Sequence, residues 1–242
     1  MSSLFTRLWS SCTKSSRASL ALRVFPDLTR EELTELALAD AYVDALDDII
    51  DLECVDKVRG SGIRAIYVRT ILLANTLLQS KESRIFLGEL GSSKVFDGEY
   101  TAAKQFLQGK LVGDDAYRVL EQSYINQAYG AWFFFDYPAS RRLPRDKAEA
   151  LTRAGVLFRA LWLVLDHLED LEEDRRNDTM TGVRYLVDVH GEPRLVAALV
   201  SRLDSMLHES LAGIGESIYK RNLLAEYDAL KAALLGETTR HE

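Results

Sequence analysis

Two cysteines and four histidines are all that the 242 residues offer to thiol or soft-metal chemistry. Cys12 and Cys54 have no partner at metal-ligand spacing, and two thiols build no disulfide framework. A reducing, cytoplasmic compartment is expected. No histidine stands in a zinc spacing, and no Glu-x-x-His pair occurs, which excludes a ferritin-like di-iron bundle. There is no Gly-rich phosphate loop, nucleophile elbow or Cys/His dyad. An EF-hand loop is excluded at Asp170–Gly182, because its sixth position is Arg175 and not glycine. No apolar run approaches the length of a membrane span. Positive charge is in deficit: 30 Lys and Arg against 37 Asp and Glu give a net charge of −7. That argues against a nucleic-acid partner, since phosphate binding needs a basic face. Acid is missing from the start. The first 26 residues hold no Asp or Glu but carry Arg7, Lys14, Arg17 and Arg23 among serines. Residues 1–25 therefore read as a basic tail or peripheral helix, with an organellar import segment as the alternative.

The remaining composition, 47% hydrophobic and 28% charged, is that of a chain able to bury a sizeable core. Apolar residues recur at helical spacing, and there is no strand alternation, hairpin signal or solenoid repeat. The expected fold is all-α, a single helical domain over residues 26–242. Thr29 with Glu32 makes a capping box at the head of a first long helix reaching about Val58. Further helices are expected over residues 63–79, 100–111 and 115–135. A loop is expected over residues 88–98, and Pro138 and Pro144 bound a turn. Residues 145–176 carry the longest uninterrupted helical pattern. Residues 177–182 read as irregular, Gly191-Glu192-Pro193 as a break, and residues 194–213 and 216–235 as the last two helices.

Two acidic rows interrupt these apolar patterns. Leu36, Ala39, Val43, Leu46 and Ile50 mark a buried helix face, yet the same run holds Asp44, Asp47, Asp48 and Asp51. On a helix, Asp44 meets Asp48 and Asp47 meets Asp51. Each like-charge pair costs roughly 0.2–0.5 kcal/mol in an isolated helix, and more beside apolar surface, where the charged form is disfavoured. The second row, Asp166, Asp170 and Asp174, recurs every four residues with Glu169 and Glu173 alongside. It follows Leu157, Leu161, Trp162, Val164 and Leu165. Divalent cations would offset both rows. The two are expected to face each other across a bundle core, where such folds build metal and ligand sites. Mg²⁺ prefers hard oxygens, takes one or two carboxylates and completes its shell with water and phosphate.

Asp47-Asp48-Ile49-Ile50-Asp51 has the form DDxxD and resembles the first aspartate motif of class I isoprenoid synthases. Asp166-His167-Leu168-Glu169-Asp170 resembles the second motif, in the DxxxD form of the squalene and phytoene synthase branch. The longer string from Leu165 to Arg175, with Asn177-Asp178 and Tyr185 after it, is most similar to the bacterial tetraprenyl-β-curcumene synthase group. The resemblance spans roughly residues 36–78 and 151–211. It implies a helical bundle with a central cavity in which more than one Mg²⁺ ion is held by Asp47, Asp48, Asp51, Asp166, Asp170 and Asp174. A prenyl diphosphate would be ionised there, with Arg159, two turns before Asp166, assisting the diphosphate. Arg64, Arg175 and Arg176 are further candidates to grip it. Trp132, Phe133, Phe134, Phe135, Phe158 and Trp162 are candidate walls for a carbocation, whose charge π-faces stabilise.

The chain departs from the elongating synthases. Lys57-Val58-Arg59-Gly60 stands displaced where they carry Arg-Arg-Gly, and their Gly-Gly-Lys-Arg, Lys-Thr and Phe-Gln elements have no counterpart. The cyclase signature begins at Asn177-Asp178 but lacks its final Glu. These departures favour a single-diphosphate reaction, cyclisation or elimination with diphosphate released. Prenyl transfer to a second substrate is the alternative, and a non-catalytic, degenerate helical protein the third reading. A homodimer is left open.

Overall fold

The capping box at the first long helix forms as its spacing predicts. The Thr29 backbone N–H donates to Glu32 Oε2 at 2.8 Å, and the Glu32 N–H donates to Thr29 Oγ1 at 3.2 Å. Two N–H groups that a helix start leaves unpaired are thereby satisfied. The computed structural model describes residues 17–50, 80–90, 114–178, 181–189, 191 and 194–238. Every regular element among them is helical, and none of these helices is long and apolar enough to cross a membrane. The expected helices at 63–79 and 100–111 lie outside the described residues.

The chain divides into two compact units, Met1–Gly88 and Glu89–Glu242. In the first, α1 (Arg17–Val24) packs on α2 (Arg30–Ile50). Ala18, Leu20, Ala21 and Val24 of α1 are buried, as are Leu36, Ala39 and Val43 of α2. Part of the basic N-terminal stretch is thus a packed helix. Asp40 fastens it: its carboxylate, 3% exposed, accepts the Ala18 N–H at 3.2 Å and pairs with Arg17 at 3.6 Å. A carboxylate at a helix N-terminus answers both the unpaired N–H groups and the helix dipole. Next, α3 runs Lys81–Leu90. It takes residues 88–90 of the expected loop into the helix, and residues 91–98 lie outside the described residues. An isolated helical glycine costs only about 1 kcal/mol.

The second unit is built around α6 (Arg145–Glu169). Its middle is apolar on nearly every side, with Leu151, Ala154, Leu157, Phe158, Ala160, Leu161, Val164 and Leu165 buried, as befits a central helix. It packs against α4 (Asp114–Ala128), α5 (Trp132–Ala139) and α9 (Arg194–Ala212), and more lightly against α10 (Ile218–Thr238). Helix α9 presents one stripe to the core: Val196, Leu199, Leu203, Leu207 and Leu211 are buried. Between α6 and α9 lie α7 (Leu171–Asn177), the single turn α8 (Gly182–Arg184) and a π-helical turn over Tyr185–Val189.

Two boundaries of this unit depart from the sequence expectation. The helix over 115–135 is broken by a 3₁₀ turn at Tyr129–Ala131, between α4 and α5. The turn expected between Pro138 and Pro144 is present over residues 140–143, with Pro138 in the last turn of α5 and Pro144 directly before α6. Proline in a helix removes one hydrogen bond and strains the turn before it, and α5 ends one residue later. The long helix over 145–176 is interrupted at Asp170, whose φ of −84° and ψ of 2° separate α6 from α7. Beyond α7, Asp178 is left-handed at φ +55° and ends that helix, as expected for an irregular stretch.

Candidate functional site

The second acidic row is carried by the last turn of α6 and by α7. Asp166 is half-buried, Asp170 exposed and Asp174 half-buried. Burial pushes the Asp166 carboxyl above the usual range, repulsion from Asp170 adds to this, and Arg159 opposes it. Asp174 is pushed up the same way, first by burial, with the Thr181 hydroxyl and Arg184 opposing and Asp170 adding. Negative charge is therefore under-compensated along the row. Among the described residues no three His, Cys, Asp or Glu side chains come together as a metal cage. The row offers carboxylate oxygens, hard donors of the kind that a Mg²⁺ ion takes one or two at a time.

Arg159 lies two turns before Asp166, its guanidinium stacked on the Trp162 ring at 3.9 Å. Stacking on an indole face orients a weakly hydrated guanidinium. Its pull on Asp166 places it within electrostatic reach of the row. Arg175 is engaged differently. Its Nε donates to both Asp188 oxygens at 3.2 and 3.0 Å, and a terminal nitrogen pairs with Glu172. Asp188 also faces Arg184 at 3.7 Å. Arg175 is thus held by carboxylates, an arrangement a diphosphate would have to displace.

The aromatic candidates separate by burial. Phe133 is fully buried, edge-on to Phe134 at 5.8 Å and tilted against Tyr137 at 5.1 Å. Phe134, Phe135 and Phe158 are buried too, while Trp132 and Trp162 are only partly so. Phe135 meets α6 at Gly155, where an added Cβ would lie 2.3 Å from the ring. That contact brings α5 close against the helix that carries the row.

Asp47 and Asp48 stand on the last turn of α2. Their side chains, with Asp51 and Arg64, lie outside the described residues. Helix α2 belongs to the first unit and the second row to the other.

Sequence reasoning passed over two residues beside the row. The hydroxyl of Tyr124, on α4, lies 2.9 Å from His167 Nδ1, and the rings stand 5.5 Å apart. Burial pushes His167 down to about 4, so the imidazole is neutral at pH 7. The two residues are 43 apart in sequence, and no local pattern links them. Thr181 is the other: its hydroxyl donates to Asp174 Oδ2 at 3.3 Å and accepts the Arg184 N–H at 3.2 Å.

No protein-family model, no curated protein and no solved structure matches this chain.

Proposed function

We propose that the chain is a Mg²⁺-dependent class I isoprenoid synthase that ionises one prenyl diphosphate and releases diphosphate, by cyclisation or elimination. The observation that carries the reading is the second row. Half-buried carboxylates lie in mutual repulsion across the junction of α6 and α7, with a stacked arginine within electrostatic reach two turns before Asp166. A solvated acidic face would not push Asp166 and Asp174 upward by burial. Asp166, Asp170 and Asp174 would hold Mg²⁺ from this row. Bound Mg²⁺ would neutralise the leaving diphosphate. Arg159 contributes a fixed positive charge for the diphosphate oxygens, pre-oriented by Trp162. The partly exposed Trp132 and Trp162 are the wall residues able to offer a π-face to a cation.

A second reading has one observation in its favour: Glu169, Asp170, Glu172 and Glu173 are exposed, as on the solvated face of a non-catalytic helical protein. Thermal denaturation separates the two. Mg²⁺ with pyrophosphate raises the melting temperature of a synthase and leaves a solvated scaffold unmoved. Incubation with one prenyl diphosphate, with and without isopentenyl diphosphate, then separates the chemistries. Hydrocarbon or alcohol from the single substrate supports the proposal, and a longer diphosphate supports chain elongation.

A further inference from the structure

Tyr124 is 1% exposed, yet its hydroxyl serves two distant segments at once. One is His167 on α6, through Nδ1 at 2.9 Å. The other is the Val183 backbone N–H, 59 residues away, which donates to the hydroxyl at 3.2 Å. A helix start leaves its first N–H groups without intrahelical partners. In α8 the third of these, at Arg184, is taken by the Thr181 side chain, and the second, at Val183, by Tyr124. The approach is close. An added Cβ at Gly182 would meet the Tyr124 ring at 2.9 Å, its hydroxyl at 3.0 Å and the Leu120 side chain at 2.8 Å.

The turn held this way reaches back to the acidic row. Thr181 donates its hydroxyl to Asp174 Oδ2, and Arg184 donates to the Asp174 carbonyl at 3.1 Å. His167, the other partner, stands between Asp166 and Asp170 on α6. The phenol oxygen accepts the Val183 N–H, and its own proton is within reach of the Nδ1 lone pair at 2.9 Å. Donation there leaves the imidazole N–H on Nε2.

We propose that Tyr124 is a positioning residue of the second acidic row: its hydroxyl sets His167 as the Nε2–H tautomer and locks the Thr181–Arg184 turn against Asp174. The proposal rests on the Mg²⁺–diphosphate reading for the ligand that the row receives. Supporting side chains of this kind change metal affinity by roughly 10- to 100-fold without touching the metal.

The test compares the full-length protein with Tyr124→Phe, using Mg²⁺ plus pyrophosphate in calorimetric titration and ¹⁵N NMR of the His167 ring in metal-free protein. The expected result is an Nε2–H tautomer in wild type, lost in Tyr124→Phe, together with at least tenfold weaker Mg²⁺–pyrophosphate binding. Thr181→Ala, which cuts the same chain one link nearer Asp174, should weaken binding similarly, and Thr181→Ser should restore it. These two variants carry the comparison if Tyr124→Phe does not fold. A wild-type His167 protonated on Nδ1 overturns the proposal. So does unchanged binding by Tyr124→Phe or Thr181→Ala, while the Mg²⁺–diphosphate reading survives. A wild-type protein that binds no Mg²⁺–pyrophosphate overturns that reading and the positioning role with it.

Discussion

At Gly155 the helix that begins the acidic row leaves no room for a side chain beside α5, so Gly155→Ala is a sharp test of the packing. An alanine Cβ would lie 2.3–2.5 Å from three ring carbons of Phe135, which is itself fully buried. Overpacking a tight core costs typically 1–3 kcal/mol. This contact belongs at the upper end, because ring carbons and not a flexible chain end must move. Against this, alanine gains about 1 kcal/mol of helix propensity over glycine. The net expectation is a loss of about 1–2 kcal/mol, or a melting temperature lowered by about 2–8 °C for a chain of this size. Thermal and urea denaturation of the metal-free protein measure it. Phe135→Leu supplies the internal check. Alone it leaves a cavity, but combined with Gly155→Ala it makes room for the new methyl, so the double variant should lose less than the two singles added. A Gly155→Ala protein as stable as wild type, or more so, would show that α5 and α6 do not meet as described.

Other perturbations test the site and the fold separately. His167 is pushed down to about 4 in the fold, from an ordinary value of 6.5. Between those values the unfolded chain binds a proton that the folded one refuses. Stability is then lost as pH falls from 6.5 towards 4, by at most about 3 kcal/mol. Subtracting the pH profile of His167→Gln, both in EDTA, should isolate that slope, and identical profiles would refute it. Asp166→Asn should raise the stability of the metal-free protein, because its charged form is disfavoured by burial and by Asp170. The same substitution should weaken Mg²⁺–pyrophosphate binding at least tenfold, so a variant both less stable and equally good at binding contradicts the account. Thr29→Ala removes the capping box of α2 and should cost about 1 kcal/mol in denaturant unfolding.

What could be read from the sequence was local. Thr29 and Glu32 form the expected box because cap chemistry is contained in four residues. Helices α9 and α10 appear close to their expected limits because apolar period and flanking glycines agree, with Gly191 and Gly215 both at positive φ. The 3₁₀ break at Tyr129–Ala131 left no signal, because the aromatic run continues on either side of a lone glycine. Pro138 and Pro144 flank the turn at residues 140–143 as expected, although packing around Phe133, Phe134 and Phe135 carries α5 one residue past Pro138. The kink at Asp170 falls in a stretch whose residues all favour helix or caps. At the site, the four-residue spacing of Asp166, Asp170 and Asp174 was visible, and so was the two-turn offset of Arg159. The stacking of Arg159 on Trp162 follows from an i, i+3 spacing that sequence alone offers but does not select. The bonds from Tyr124 to His167 and Val183 were not legible, because tertiary packing alone brings those residues together.

The most direct measurement is the release of pyrophosphate from a single prenyl diphosphate, tried with geranyl, farnesyl and geranylgeranyl diphosphates. The account predicts release that requires Mg²⁺, proceeds without isopentenyl diphosphate, stops on chelation and is lost in Asp166→Asn. No release from any of the three by folded wild-type protein in Mg²⁺, or release that Asp166→Asn leaves unchanged, would contradict it.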